Sequence, residues 1–261
     1  MTRKLSLLLT IFTLLLSCHS HGQTRIDFDY ERDFELILAQ SKNKNSEIFF
    51  DTLFPRFLRG DTTLTNYEMI ALQIGYTDNE KYWPYQDIEL EREIWNLNEK
   101  GNFELALLKC DSLLDRNPFS LIGNREKSYA LNKLGKDEKI ETYIKKFDLV
   151  ALSNLSTGDG TSYETSWFVL SPADGQWIIK LAFQSSICSM GSGRDKHGNF
   201  HDILGVKFKN SEDCPHLYFN IEHAAKRMFG PDGMKLFDEL EEKDQKKNKR
   251  KKKNKRKKTK E

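Results

Sequence analysis

The spacing of the apolar residues changes at about Leu152, and this change constrains the fold more than any other feature of the chain. Before Leu152, apolar side chains recur at three- and four-residue intervals, as in amphipathic helices. After it, they alternate every second residue, as in strands that bury one face. Helices followed by strands predict an α+β fold, with residues 24–152 helical and residues 153–243 forming a small antiparallel sheet with C-terminal helices, packed on the helical region.

Two glycines in the helical region, Gly101 and Gly135, stand 34 residues apart. That distance is the period of tetratricopeptide repeats, whose units are pairs of antiparallel helices. The packing positions of the first unit would be filled by Leu90, Ile94, Leu97, Phe103, Ala106 and Leu114. We therefore expect a tetratricopeptide-like array. Two units are fewer than the three that usually stand alone, so the preceding helices or the sheet must complete their packing.

Upstream, helices are expected over residues 27–40, 46–58 and 66–74. The last begins at a capping box, in which Thr65 and Glu68 each satisfy a backbone N–H of the other, and it is expected to end at Gly75.

In the second half, strands are expected over residues 166–170, 176–183, 200–208 and 217–221. Asp174-Gly175 is expected to form a hairpin turn between the first two strands. Residues 189–199 are rich in Gly, Ser and charge, which is typical of a loop. Short helices are expected over residues 222–229 and 234–243.

The first residues have the pattern of an export signal. Arg3 and Lys4 precede twelve uncharged residues, Leu5 to Leu16, which are too few to cross a bilayer as a helix. Leu15-Leu16-Ser17-Cys18 has the spacing of a bacterial lipidation site, so residues 1–23 are expected to be a signal peptide whose lipobox ends at Cys18. Cleavage after Gln23 is the alternative. A lipid anchor and a periplasmic or outer-membrane location would follow from lipidation.

The charge of the chain is divided unevenly. From Lys243 to Glu261, thirteen residues are Lys or Arg and two are acidic, whereas the rest of the chain has 28 basic and 37 acidic residues. A block of like charge cannot bury apolar surface, so residues 244–261 are expected to be disordered. Such a tail either only aids solubility or contacts an anionic membrane or polysaccharide surface. It contains no aromatic residue on which bases could stack, so no nucleic-acid partner is expected.

Three cysteines follow Cys18. Cys110 lies on an apolar helix stripe and is expected in the core. Cys188 and Cys214 flank a predicted strand, and an oxidising compartment would permit a disulfide between them. Zinc is the competing interpretation, because Cys188, His197, His201, Cys214 and His216 contain compatible spacings. The glycine between the two middle histidines indicates a loop, so no metal site is predicted.

Several segments in the two halves resemble the DUF4919 family, an uncharacterised family of exported bacterial proteins. The resemblance rests on residues 155–161, Glu164-Thr165, residues 61–65, Gln184-Ser185, Asp202 and residues 217–219. It covers about residues 26–222 and leaves the basic tail outside. Membership implies an exported protein of the same fold, but it implies no catalytic residue.

The most specific of these segments is Thr157-Gly158-Asp159-Gly160-Thr161. Two glycines can adopt positive φ and expose neighbouring N–H groups, and such a nest can bind an anion. The same residues also build ordinary tight turns between a helix and a strand. The segment is neither a complete dinucleotide loop nor a Walker loop, so no cofactor is expected.

No catalytic motif is complete. Ser192 lies near His197, His201, Asp195 and Asp202 in sequence, but there is no nucleophile elbow and no zinc-protease motif. The sequence favours a non-catalytic envelope protein whose helical surface binds a protein or peptide partner. The alternative is a hydrolase acting on a small molecule or surface sugar, with its site near residues 189–202. A hydrolase should have a deep polar cleft near Asp159, whereas a binding module should have a shallow groove along the helices.

Overall fold

The computed structural model describes residues 25–208 and 213–230. The first half of this part is helical, as the spacing of the apolar residues predicts. The helices are α1 (Tyr30–Ser41), α2 (Phe50–Leu58), α3 (Asn66–Tyr76), α4 (Ile88–Glu99), α5 (Phe103–Arg116), α6 (Leu121–Lys133) and α7 (Ile140–Ser156). A 3₁₀ turn, Asp137–Lys139, immediately precedes α7.

The capping box at the start of α3 is confirmed. Thr65 Oγ1 accepts a hydrogen bond from Glu68 N, and the Glu68 carboxylate accepts one from Thr65 N. The predicted end of this helix at Gly75 is wrong, because α3 continues through Gly75 to Tyr76. A Cβ atom at position 75 would lie 2.9 Å from Ser41 Oγ and 3.0 Å from a ring carbon of Phe50. The glycine therefore allows close packing of α3 and does not end it.

Helices α4 to α7 form a consecutively packed array. Each packs against the next, and α4 also contacts α6. Gly101 and Gly135, with φ of +77° and +64°, lie in the turns that follow α4 and α6. These are the left-handed positions that favour glycine at helix ends. The preceding helix α3 packs against α7, so the array is completed by its neighbours.

The predicted strand over residues 176–183 is wrong. Residues Pro172–Trp177 form a short helix, α8, which continues as a π-helical turn at Ile178–Ala182. Ser171 caps α8, and the Asp174 carboxylate accepts from Ser171 N at 2.8 Å. Asp174 and Gly175 therefore lie inside a helix and not in a hairpin turn. A Cβ at Gly175 would lie 2.9 Å from the Phe219 ring, so this glycine lets α8 approach the sheet closely.

One sheet of four strands is present in the described residues, with strand order β1-β4-β3-β2. The strands are β1 (Trp167–Phe168), β2 (Ser186–Arg194), β3 (Phe200–Lys207) and β4 (His216–Asn220). β2 and β4 pair antiparallel to β3, as expected, but β1 is parallel to β4, so the sheet is mixed and not antiparallel. The predicted loop 189–199 is wrong for residues 189–194, which belong to β2. Only residues 195–199 form the connection to β3.

The larger of two buried clusters in the described residues joins the helices to the sheet, and the smaller one lies between α4, α5, α6 and α8. Phe34 of α1 and Phe57 of α2 belong to the same core as Phe168 and Phe219 of the sheet. Residues 222–230 are helical, in agreement with the predicted helix over 222–229. The α+β class is therefore confirmed. The predicted signal peptide with Cys18, the helix over 234–243 and the basic tail lie outside the described residues.

Candidate functional site

A cavity of about 530 Å³ lies where the helical array meets the start of β2. We call it the α4–β2 groove. Its walls come from α4, from the α8–π-turn segment and from the residues that lead into β2. The lining residues are Arg92, Trp95, Asn96, Gln176, Trp177, Ile179, Lys180, Ser185, Ser186 and Ile187.

The groove contains a pair of stacked tryptophans. The Trp95 and Trp177 ring centroids are 5.7 Å apart with an interplanar angle of 28°. Lys180 Nζ lies 3.8 Å from the Trp95 centroid, within the range of a cation–π contact. Aromatic side chains with a polar edge are suited to binding surfaces, because one end is apolar and the other can hydrogen-bond.

A buried network of polar side chains hydrogen-bonds to Trp177, one of the two stacked tryptophans. Trp177 Nε1 donates to Glu91 Oε2 at 2.8 Å, and Ser120 Oγ donates to Glu91 Oε1 at 2.9 Å. Burial raises the pKa of Glu91 to about 8 and that of Asp174 to about 7. The neutral form of Glu91 is therefore favoured at neutral pH, which leaves little negative charge behind the groove.

Two cations stand at the mouth of the groove. Arg92 and Lys180 are both exposed, and neither forms an ion pair with a described residue. Among the residues that the structure describes, no acidic side chain lines this groove. In a chain whose residues up to Glu242 carry more acidic than basic side chains, this is a local positive potential.

The groove continues along the outer side of α4. A second depression of about 470 Å³ shares Arg92 and Asn96 with it. The other lining residues are Glu89, Glu93, Leu97 and Lys100. Together the two cavities follow the exposed face of α4 over about three turns of helix.

The local backbone beside the groove is unusual. In the π-helical turn, Phe183 N donates to Ile178 O, five residues back. Gln184, which follows, has a φ of +49° and is the non-glycine residue with positive φ in the described chain. π-Helical turns occur frequently at functional sites, and non-glycine left-handed residues are uncommon. Both features lead directly into Ser185 and Ser186 of the groove.

The segment from Thr157 to Thr161 forms a closed turn. Asp159 N and Gly160 N both donate to Thr165 O, at 3.1 and 2.8 Å. The Asp159 carboxylate accepts from Thr161 N, Thr161 Oγ1 and Thr165 Oγ1. These bonds lower the pKa of Asp159 to about 2. The N–H groups of Asp159, Gly160 and Thr161 already have acceptors within the turn, so the geometry favours the structural interpretation of this segment.

Both glycines of this turn are required by close contacts. A Cβ at Gly158 would lie 2.0 Å from Thr165 O, and one at Gly160, where φ is +70°, would lie 2.6 Å from the Trp167 ring. Trp167 Nε1 also donates to Gly158 O, and Phe168 N donates to Thr157 Oγ1. The turn thus fixes the end of α7 against β1.

A smaller polar recess of about 60 Å³ lies near the β2–β3 connection, with Tyr163, Glu164, Ser166 and His197 among its lining residues. Ser166 Oγ is 3.1 Å from His201 Nε2, and His201 Nδ1 is 2.9 Å from Asn199 O. Since a carbonyl can only accept, Nδ1 carries the proton and Nε2 accepts from the serine. Burial lowers the pKa of His201, which keeps the ring neutral.

The catalytic candidates from the sequence are only partly brought together. Ser192 and Asp202 are opposite each other in the β2–β3 register, without a hydrogen bond between their side chains. Asp195 Oδ1 accepts from the backbone N–H groups of His197 and Asn199, so it shapes the strand connection. The sequence did not indicate the Ser166–His201 pair, because its members lie 35 residues apart in the chain.

The structure joins Cys188 and Cys214 in a disulfide, with their Cα atoms 6.4 Å apart. The bond links β2 to the segment before β4 and crosses β3 at Gly205, where a Cβ would lie 2.6 Å from Cys214 Sγ. Thiols in a disulfide are not zinc ligands, and the described residues contain no cluster of three His, Cys, Asp or Glu side chains suited to a metal ion. Cys110 is buried and free, as predicted.

The sequence was also compared with those of known protein families. The profile of the family described as Domain of unknown function (DUF4919) matches residues 35–229. The chain belongs to the DUF4919 family. This match includes the groove, the closed turn and the disulfide of this DUF4919 protein. Neither a curated protein nor a solved structure matches the chain.

Within the described residues, no helix combines the length and apolar character needed to cross a membrane.

Proposed function

We propose that this DUF4919 protein is an exported, non-catalytic binding module, and that the α4–β2 groove binds a peptide segment of an envelope partner. The observation that carries the proposal is the stacked Trp95–Trp177 pair, with Lys180 and Arg92 at the mouth of the groove. Binding sites in proteins are mostly apolar and aromatic, with a few convergent polar groups. The shallow depression along α4 is what a binding module was expected to have.

Site-specific photo-crosslinking in cells tests this proposal. A photo-crosslinking amino acid in place of Asn96 lies in the groove, whereas one in place of Leu108, 64% exposed on α5, lies away from its lining. We expect a discrete envelope protein to be crosslinked from position 96 and not from position 108, and Trp95→Ala to abolish the product. Equal products from both positions, or none from position 96, would contradict the proposal.

A lipid anchor at Cys18 and a location in the periplasm or on the outer membrane are part of the same proposal. Mass spectrometry of the mature protein should find an acylated N-terminal Cys18, and Cys18→Ala should release the protein from the membrane fraction. An unmodified N-terminus at Thr24 would instead show cleavage after Gln23. Binding of the basic tail to vesicles with anionic headgroups, lost when the chain ends at Lys243, would separate a surface-binding role from mere solubility.

A hydrolase is the second candidate function, and the Ser166–His201 hydrogen bond is the observation that favours it. A neutral histidine that accepts from a serine hydroxyl can act as a general base. The recess beside Ser166 is far smaller than the groove, which makes a substrate site there less suitable. A fluorophosphonate probe decides the question: labelling of the wild type and of Ser192→Ala, but not of Ser166→Ala, would establish a reactive serine.

A further inference from the structure

Strand β2 lies at the edge of the sheet, and no strand among the described residues pairs with its outer side. It pairs with β3, and no described residue forms a backbone hydrogen bond with its other edge. In an antiparallel pair, alternate residues direct their N–H and C=O groups away from the partner strand. Residues 186–193 therefore present, within the described part of the chain, a row of donors and acceptors with no partner on this side, which is a template for another strand.

The edge lacks most of the features that usually prevent pairing. β2 contains no proline and no lysine, and its one charged residue is Arg194, at its end. Met190 is 63% exposed. The register shift between Ile187 and Ser189 disturbs only the beginning of the strand, so residues 189–194 remain regularly paired with β3. Natural proteins protect edges with charges, prolines or bulges, and β2 has little of this protection.

The disulfide holds this exposed strand in place. Cys188 of β2 is bonded to Cys214 across β3, and Ser189 Oγ lies 3.4 Å from His216 Nε2 of β4. Much of β2 is exposed, so burial alone contributes little to its order. A strand that is fixed before binding loses less conformational freedom when a partner pairs with it.

The direction of a paired partner follows from the position of the groove. Ser186 and Ile187, the first residues of β2, line the α4–β2 groove. A strand that runs antiparallel to β2 ends where β2 begins, so its C-terminus would reach the groove. There it would meet Arg92 and Lys180, which form no ion pair with a described residue. A parallel partner would bring its cationic N-terminus to the same two residues and be repelled.

We propose that the groove and the β2 edge together bind the free C-terminal segment of a partner protein. The segment pairs with β2 as an antiparallel fifth strand, its terminal carboxylate lies against Arg92 and Lys180, and its last side chain packs on Trp95 and Trp177. Main-chain hydrogen bonds supply affinity in this mode, and the pocket supplies specificity. This inference rests on the proposed binding function and names its ligand class. The chain's own C-terminus is a poor occupant, because Lys257, Lys258 and Lys260 would be repelled by the groove.

A library of random peptides with free C-termini supplies the probe. The tightest binder is then synthesised as the free acid and as the C-terminal amide, and its affinity for the full chain is measured by fluorescence anisotropy. We expect the amide to bind about ten-fold more weakly. In the double variant Arg92→Gln/Lys180→Gln, the affinity of the free acid should fall by the same factor. The acid and the amide should then bind equally well. The control variant Arg59→Gln/Lys136→Gln, which removes two exposed cations elsewhere, should retain the difference in affinity between acid and amide.

Backbone methylation of the peptide tests strand pairing without altering the protein. One peptide carries N-methyl groups at odd positions and another at even positions. Because only alternate N–H groups face β2, we expect one methylated peptide to lose binding and the other to retain it. Hydrogen exchange should show added protection of amides within residues 186–194 when the unmodified peptide binds.

The outcomes separate the two proposals. A peptide that binds in the groove but tolerates amidation and both methylation patterns would overturn the inference and leave the binding function standing. Failure of every peptide in the library to bind would overturn both. Self-crosslinking of the protein through a photo-crosslinker in place of Met190, at the concentrations used, would show that a second copy occupies the edge and would also overturn the inference.

Discussion

The turn at Thr157–Thr161 and the α4–β2 groove differ in how far their polar groups are satisfied. In the turn, Asp159 N, Gly160 N and the Asp159 carboxylate all have intramolecular partners. In the groove, Arg92 and Lys180 have no ion-pair partner among the described residues. Buried polar groups are normally satisfied, so a closed set of bonds indicates a structural role, whereas exposed charges beside aromatic rings can bind a ligand. Changes in the turn should therefore alter stability, and changes in the groove should alter binding.

The largest effect on the free energy of unfolding should come from the disulfide, which holds the strand β2 beside the groove. Cys188→Ser/Cys214→Ser opens a link over 26 residues, and we expect the free energy of unfolding to fall by about 3.5 kcal/mol. Denaturant unfolding measures the loss. Cys110→Ser provides a comparison that leaves the bond intact. If hydrogen exchange in β2 were unchanged in the double variant, the disulfide would not be what orders this strand.

The next effect tests the turn directly. Gly158→Ala places a Cβ 2.0 Å from Thr165 O, so the backbone must shift, and we expect a loss of about 3 kcal/mol in the free energy of unfolding. The control is Gly135→Ala, which adds a methyl group in open space at positive φ and should cost only about 1 kcal/mol. The folded fraction of Gly158→Ala should bind peptide as the wild type does. Weaker binding by that fraction would assign the turn a role in the site.

The stability of the fold should depend on pH because of Glu91, a buried carboxyl group behind the groove. The pKa of Glu91 is raised from an ordinary value near 4.5 to about 8, so the folded state holds a proton that the unfolded state has released. This contribution is complete below pH 4.5 and is lost as the pH rises through 8. Between pH 6.5 and 8 we expect the free energy of unfolding to fall as pH rises, with Asp174 and Asp202, whose pKa values are raised to about 7, contributing in the same direction.

Glu91→Gln isolates the contribution of this carboxyl group. The amide oxygen can still accept from Trp177 Nε1, so the wall of the groove is preserved. Thermal unfolding at several pH values should show a shallower decline than in the wild type. An identical decline in both proteins would mean that Glu91 does not titrate in this range.

The smallest effect on stability should come from the groove itself. Lys180→Ala removes the exposed cation–π contacts of Lys180 with Trp95 and Trp177, and we expect a change of only about 0.5 kcal/mol in the free energy of unfolding. The same variant should nevertheless weaken the binding of a carboxylate-terminated peptide several-fold. If Lys180→Ala lowered the free energy of unfolding without weakening peptide binding, Lys180 would have a structural role like that of the turn and not a role in binding. Lys196→Ala, outside the groove lining, serves as the matched control.

Local sequence patterns predicted much of the fold but little of the groove. The capping box at Thr65 was recognisable because both of its partners lie within one helical turn. The strand predicted over residues 176–183 is wrong because the apolar residues of the π-helical turn imitate an alternating strand. Ser171-x-x-Asp174, with Pro172 at the first helical position, is the local signal of the helix that forms there. Trp95 and Trp177 lie on different elements, so no local pattern could have indicated their stacking.

Short-range information in the chain decides where the helices begin, which residues face a core, and which glycines stand at turns such as those at Gly101 and Gly135. These depend on backbone sterics and on periodicity, which act within a few residues. The tertiary structure alone decides that β1 is parallel to β4, that Ser166 meets His201, and that Arg92, Lys180 and two tryptophans share one groove beside a free sheet edge. Such juxtapositions arise because two buried clusters bring distant segments together, and the position of a residue along the chain carries no direct record of that packing.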